Sequence, residues 1–200
     1  MSAQARLALG SAALLAAVAA LVASAWLLAG RRDEAARQAR ADARPLSFAP
    51  AGVQEVIVEG AAGTAPYRLS RGRPAWRISL AGGAAADRTP ADGPADAAAV
   101  ERLLAELAAL RPRAAIPEPL PPLPAMGLDP PRARVTLLLE RGSRLVLELG
   151  DDHPFDRSVH ARVRSEGRPA TPPAELLLLP PGSRERLAPD PSALRAEPER

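Results

Sequence analysis

The sequence predicts an α+β domain, an antiparallel sheet packed by one main helix and preceded by a single N-terminal transmembrane helix. Three observations carry this. Residues 7–29, LALGSAALLAAVAALVASAWLLA, hold no charge over 23 positions, enough at 1.5 Å per residue to cross a bilayer core as a helix. Several later segments alternate apolar and polar residues with period two, as half-buried strands do. Residues 97–111 instead place Val100, Leu103, Leu104, Leu107 and Leu110 at helical spacing. The organisation expected is a transmembrane anchor at 1–30, a juxtamembrane polar helix at 31–44, an extracytoplasmic α+β domain at 45–187 and a polar C-terminal tail at 188–200.

The anchor has a rival reading. Arg6, the apolar run that follows it and Ala23-Ser24-Ala25 also fit a cleaved signal peptide with an A-x-A site. The run continues past that site through Trp26, Leu27 and Leu28, which favours an uncleaved anchor with Trp26 near the interface. Orientation draws on two opposed arguments. Arg31, Arg32, Arg37, Arg40 and Arg44 follow the stretch and only Arg6 precedes it, which by the positive-inside rule places the domain in the cytoplasm. A short tail before a first apolar run behaves as a signal anchor and places it outside.

Composition excludes much chemistry. All 26 basic side chains are Arg, and Lys, Asn and Cys are absent. Without Lys there is no P-loop lysine or Schiff base; without Cys there is no thiol nucleophile, disulfide, lipoprotein processing or thiolate metal site. Neither G-x-S-x-G nor G-x-G-x-x-G occurs. The net charge of +3 is small, and no basic block is interleaved with aromatics, so nucleic-acid binding is not indicated.

In chain order, residues 31–44 read as a polar stalk in which Asp33 and Arg37 can pair at i, i+4. Residues 53–59, VQEVIVE, form a first strand whose apolar positions do not keep one phase. Strands follow at 67–70 and 75–80, with Trp76 and Ile78 inward and Arg77 and Ser79 outward. A Gly, Ala and Pro-rich loop at 81–95 leads to Asp96, the expected N-cap of the helix. Glu101, Arg102 and Glu106 take its outer side, and Pro112 ends it. Residues 112–124 should be polyproline-like chain, with Pro119 to Pro122 matching P-x-x-P. RVTLLLE and RLVLEL, joined through Gly142, form the clearest hairpin. Val135, Leu137 and Leu139 share one face, while Val146 and Glu148 oppose Leu145, Leu147 and Leu149. A strand at 158–164 turns Val159, Ala161 and Val163 inward. A short strand at 168–171, a short helix at 174–179 opened by Pro172 and Pro173, and a frayed tail complete the chain.

One segment gathers chemistry-bearing residues. GDDHPFDRSVH, 150–160, brings both histidines together with Asp151, Asp152 and Asp156. Asp and His within a loop suit a metal or acid–base site, but the spacing fits no established ligand signature. Asp-rich turns containing Pro arise between strands for local reasons, and His160 is expected at a surface or edge. No catalytic, cofactor-binding or metal-binding residue is assigned, and no cofactor is expected.

Gly127-Leu128-Asp129-Pro130-Pro131, running into Arg134-Val135, resembles the bacterial domain of unknown function 4340 family, associated with gliding-motility-type ABC transporters. Leu149-Gly150-Asp151 matches its LGD, and Val159-His160-Ala161-Arg162-Val163 its VYARV strand with His for Tyr. The helix from Pro94 to Leu110, the Trp76-Arg77 strand and the single N-terminal helix also agree, so the resemblance spans nearly the whole chain. Two departures stand out: the Pro-rich 112–124 replaces a more polar link, and the strand after Arg164 is poorly kept. The resemblance implies an anchored domain outside the cytoplasm and brings no known catalytic residues.

The expected function is therefore a non-catalytic, membrane-anchored envelope protein, an accessory subunit of an ABC-type transport or gliding-motility-like complex. It is expected in the cytoplasmic membrane, single-pass, with the membrane bound through residues 7–29 and a multi-span permease or envelope complex as partner. A polysaccharide- or lipid-binding module outside the cytoplasm is the alternative. A metal-dependent hydrolase built on the Asp/His loop is a third.

Overall fold

The computed structural model describes residues 45–60, 65–72, 75–80, 92–116, 120–166 and 175–196. The anchor at 1–30, the stalk at 31–44, the strand at 168–171 and most of the loop at 81–95 lie outside them. The described chain forms nine strands: β1 Val53–Glu59, β2 Tyr67–Arg71, β3 Trp76–Leu80, β4 Gly93–Pro94, β5 Ala114–Ala115, β6 Ala133–Leu139, β7 Arg144–Asp152, β8 Val159–Glu166 and β9 Glu175–Leu179. They make one antiparallel sheet in the order β4-β3-β2-β1-β6-β7-β8-β9-β5. Helix α1 spans Ala97–Ala108 and α2 spans Ser183–Leu187.

This corrects the expected α+β class; the transmembrane helix of that expectation falls on residues outside those described. The described structure is mostly one large sheet, with one 12-residue helix and one of five residues. Among the described residues no helix is long and apolar enough to cross a membrane. The balance shifts toward strand because segments expected elsewhere are extended. Residues 175–179, expected as helix, form β9, which pairs with β8 on one side and β5 on the other. Four consecutive leucines carry no period that separates helix from buried strand; two waiting strand edges decide it. The segment expected as polyproline chain supplies β5 at its start and a 3-10 turn, Leu123–Met126, at its end.

The phase problem in the first strand has a local cause. Val53 pairs with Leu139, but Glu55 pairs with Leu138, so the register slips by one residue at Gln54. This β-bulge lets Val53, Val56 and Val58 all face inward and be buried. Ile57 then points to the opposite face. Trp76 and Ile78 are buried as expected, and the Arg71 guanidinium lies 4.6 Å from the Trp76 ring centroid.

The inner face of the sheet is covered by α1. Asp96 caps it by accepting from the Ala98 and Ala99 N–H groups at 2.9 and 3.3 Å. The helix ends three residues before the expected Arg111, with Ala109 as its C-cap. Val100, Leu103, Leu104 and Leu107 are buried against strand residues such as Leu69, Val135 and Leu147. Each such side chain contributes about 1.5–3 kcal/mol by leaving water.

The last described residues also belong to this core. Residues 188–196 were expected to fray, yet Leu194 and Ala188 are buried. The Asp96 N–H donates to the Leu194 carbonyl at 2.9 Å, and the Ala196 N–H to the Pro94 carbonyl at 3.2 Å. The buried Tyr67 hydroxyl donates to the Pro189 carbonyl at 2.8 Å. Burial, then the nearby Asp190 carboxylate, pushes the Tyr67 phenol up and keeps it neutral.

Candidate functional site

The Asp/His segment spans the end of β7, the turn and the start of β8; its three carboxylates and His160 are engaged, while the buried Nδ1 of His153 lies 3.2 Å from Asp156 without a hydrogen bond. Strand β7 carries a bulge: Leu149 pairs with Ala161 but Asp152 with Val159. The carbonyls of Gly150 and Asp151 are met by side chains instead. Arg184 Nη1 donates to the Gly150 carbonyl and His160 Nδ1 to the Asp151 carbonyl, both at 2.8 Å. A carbonyl only accepts, so Nδ1 of His160 carries a proton. Of the two places expected for His160, surface or edge, the edge is ruled out: it sits in β8, between β7 and β9, and is half-buried.

The three carboxylates have separate partners. Arg132 grips Asp151 with both ends of its fork, at 2.6 and 3.1 Å, and that hydrogen bonding holds the Asp151 carboxyl below the usual carboxylate range. Asp152 pairs with Arg184 at 3.1 Å and Arg157 at 3.5 Å. Asp156 accepts from the Ser158 hydroxyl at 2.6 Å and its backbone N–H at 3.1 Å, which holds this carboxyl low as well; Arg113 reaches it at 3.1 Å. The two imidazoles lie 5.7 Å apart by ring centroid. Among the described residues no three His, Cys, Asp or Glu side chains are grouped to hold a metal ion. The cluster ties β7, β8, α2 and the chain before β5 and β6 into one end of the sheet.

The Gly127 to Pro131 turn belongs to the same end. Gly127 has φ +64°, and a Cβ there would meet the Asp151 carboxylate at 2.5 Å. Gly150 likewise leaves no room for a Cβ beneath the Met126 carbonyl. The turn and the Leu149-Gly150-Asp151 segment thus fit together through two glycines and the Arg132–Asp151 pair. Leu128 and Met126 are buried with Leu176 in a small second cluster beside the main core.

A different set of residues forms an open site on the outer face of the four central strands. Register aligns three rows across β1, β6, β7 and β8. Glu59, Arg134, Glu148 and Arg162 make the first; Ile57, Thr136, Val146 and Arg164 the second; Glu55, Leu138, Arg144 and Glu166 the third. In the first row Glu148 is wholly buried. Arg162 Nε and Arg164 Nη2 each donate to it at 2.5 Å, and Arg134 Nη2 at 3.3 Å. A lone carboxylate at such a position would be strongly unfavourable; three guanidiniums make it tenable and are in turn held in place by it.

Next to this cluster the face opens into a trough of about 300 Å³. Its floor is Ile57, Thr136 and Val146, and charged side chains from all three rows, Arg164 of the second included, rise around it. Arg134 also reaches Glu59 at 3.4 Å, while Arg144 and Glu166 approach only to 3.8 Å. The Nε atoms of Arg134 and Arg164 are buried and meet no acceptor in the protein.

None of these residues stands out as a motif in the sequence. The available signal was the out-of-phase position of Glu148 against Leu145, Leu147 and Leu149, matched by arginines at the polar positions of the strands before and after it. Read as cross-strand pairs, those positions predict the rows.

The family described as Domain of unknown function (DUF4340) matches residues 88–171. This supports the resemblance for the stretch from just before α1 to just beyond β8, with β1, β2 and β3 outside the match. No curated protein and no solved structure matches the chain.

Proposed function

We propose that this chain is a non-catalytic envelope protein, attached to the cytoplasmic membrane through the uncharged residues 7–29, that holds or positions a partner outside the cytoplasm. The partner in this reading is a multi-span permease or envelope complex of the ABC-type transport or gliding-motility kind. That last step rests on family association alone.

The observation that carries the reading is how the charged residues are used. Asp151, Asp152, Asp156 and His160, the groups best suited to acid–base or metal chemistry, each hold strands, α2 or the β5 and β6 approaches in place. A braced sheet with an open polar face suits binding and positioning. Attachment to the membrane raises its effective concentration for a membrane partner without new contacts.

Crosslinking followed by mass spectrometry in the native host tests this. The full-length chain in mild detergent should crosslink to a multi-span membrane protein, and residues 31–200 alone should lose most of that yield. Absence of any membrane partner above background for the full-length chain, together with turnover of a substrate by the domain, would remove the accessory-subunit reading.

A further inference from the structure

We propose that the trough on the outer face of β1, β6, β7 and β8 binds one uronic-acid unit, a sugar ring bearing a single carboxylate. Four features of the site point to that chemistry. The volume of about 300 Å³ lies at the small end of ligand pockets and suits one substituted ring. The floor is apolar at Ile57 and Val146, a surface for the C–H face of a sugar. Arg134, Arg144 and Arg164 face two carboxylates, Glu59 and Glu166, around it, which leaves one positive charge in excess. Buried Glu148 below is shared by Arg134, Arg162 and Arg164, and counting it together with Arg162 leaves that excess of one unchanged.

The mixed rim discriminates among anions. A phosphate dianion would gain from the guanidiniums but would be repelled by Glu59 and Glu166. A uronate offers one carboxylate to the guanidiniums and hydroxyl donors to the two glutamates. Arg164 is the best anchored of the three cations, because Glu148 holds its Nη2 at 2.5 Å. Arg144 and Glu166, 3.8 Å apart and each about half exposed, are loosely paired and free to exchange partners with an entering ligand.

This inference goes beyond the accessory-subunit reading and does not depend on it; the trough binds its ligand with or without a permease partner. Isothermal titration of the full-length chain in mild detergent tests it, with galacturonic acid, its linear trimer, a neutral glucose trimer and inorganic phosphate as probes. Uronate should bind saturably, and the neutral trimer should not. Ile57→Trp, which fills the trough, and Arg144→Gln, which removes a loosely paired cation, should each weaken uronate at least about tenfold, a single decade of affinity. Arg102→Gln, exposed on α1, should leave it unchanged. Tighter binding of the trimer supports a polymer as the source of the unit, and equal binding supports the free sugar acid. No saturable uronate binding, unchanged binding in both trough variants whose melting curves match the parent chain, or equal or tighter binding of phosphate or the neutral trimer would overturn the proposal.

Discussion

Glu148 shows how much one side chain can organise. It has no exposed surface and gathers guanidiniums from β6 and β8. Removing the carboxylate leaves three cations facing one another in a partly dry site. Glu148→Ala should therefore cost about 3–5 kcal/mol in urea unfolding, the range for breaking a buried ion pair from one side, and Glu148→Gln should cost less because the amide still accepts hydrogen bonds. A change within about 0.5 kcal/mol for Glu148→Ala, as at ordinary surface sites, would mean the cluster does not hold the face together. Asp151 yields a pH prediction. Its carboxyl is held low by the Arg132 hydrogen bonds, so its folded pKa lies below the unfolded value. The stability it adds is complete above about pH 4, the ordinary Asp range, and is lost as pH falls through the folded pKa. Thermal melts below pH 4 should show stability falling with acid, and Arg132→Gln should flatten that fall; an unchanged slope would count against the pair. Asp151 was visible in the sequence as a chemical candidate, but its partner was not. Arg132 lies 19 residues earlier and arrives only through the β6–β7 register.

At the scale of elements, legibility followed local periodicity. The helix with its Asp96 cap, the β6–β7 hairpin and the inward faces of β3 and β8 could all be read because spacing alone determines which side is apolar. Strand β9 could not be read, since Leu176 to Leu179 look the same as helix or strand until β8 and β5 offer edges. The first strand was read with an unresolved phase, and the bulge at Gln54 is the reason. The last segment reads as a free tail because its composition is polar, while buried Ala188 and Leu194 and the hydrogen bonds at Pro189, Leu194 and Ala196 attach it. Leu194→Ala should cost about 2 kcal/mol or more in urea unfolding, as core Leu truncations do. A loss near zero would restore the view of a free tail. The outer face was the least legible part of the candidate site: its rows exist only after four strands are aligned, and in the row built on Glu148 the neighbouring members lie 14 or more residues apart.

At the scale of the whole molecule, the two sheet faces divide the work. The inner face, under α1 and the returning C-terminal segment, holds the apolar core, and the outer face carries the ion-pair rows and the trough. The family match at 88–171 covers α1 and β4 to β8, and with them most of the trough except Ile57 and Glu59 on β1. The functional reading needs this domain to stand outside the cytoplasm on a membrane attachment, and cysteine labelling of the cysteine-free chain tests that most directly. Phe155 is 91 % exposed at the β7–β8 turn, whereas Ser158 nearby is wholly buried and would report burial instead of sidedness. In whole cells with a permeabilised outer membrane, Phe155→Cys should react with a membrane-impermeant maleimide and Ser2→Cys should not. Labelling of Ser2→Cys with Phe155→Cys protected until the cells are lysed would place the domain in the cytoplasm and contradict the account.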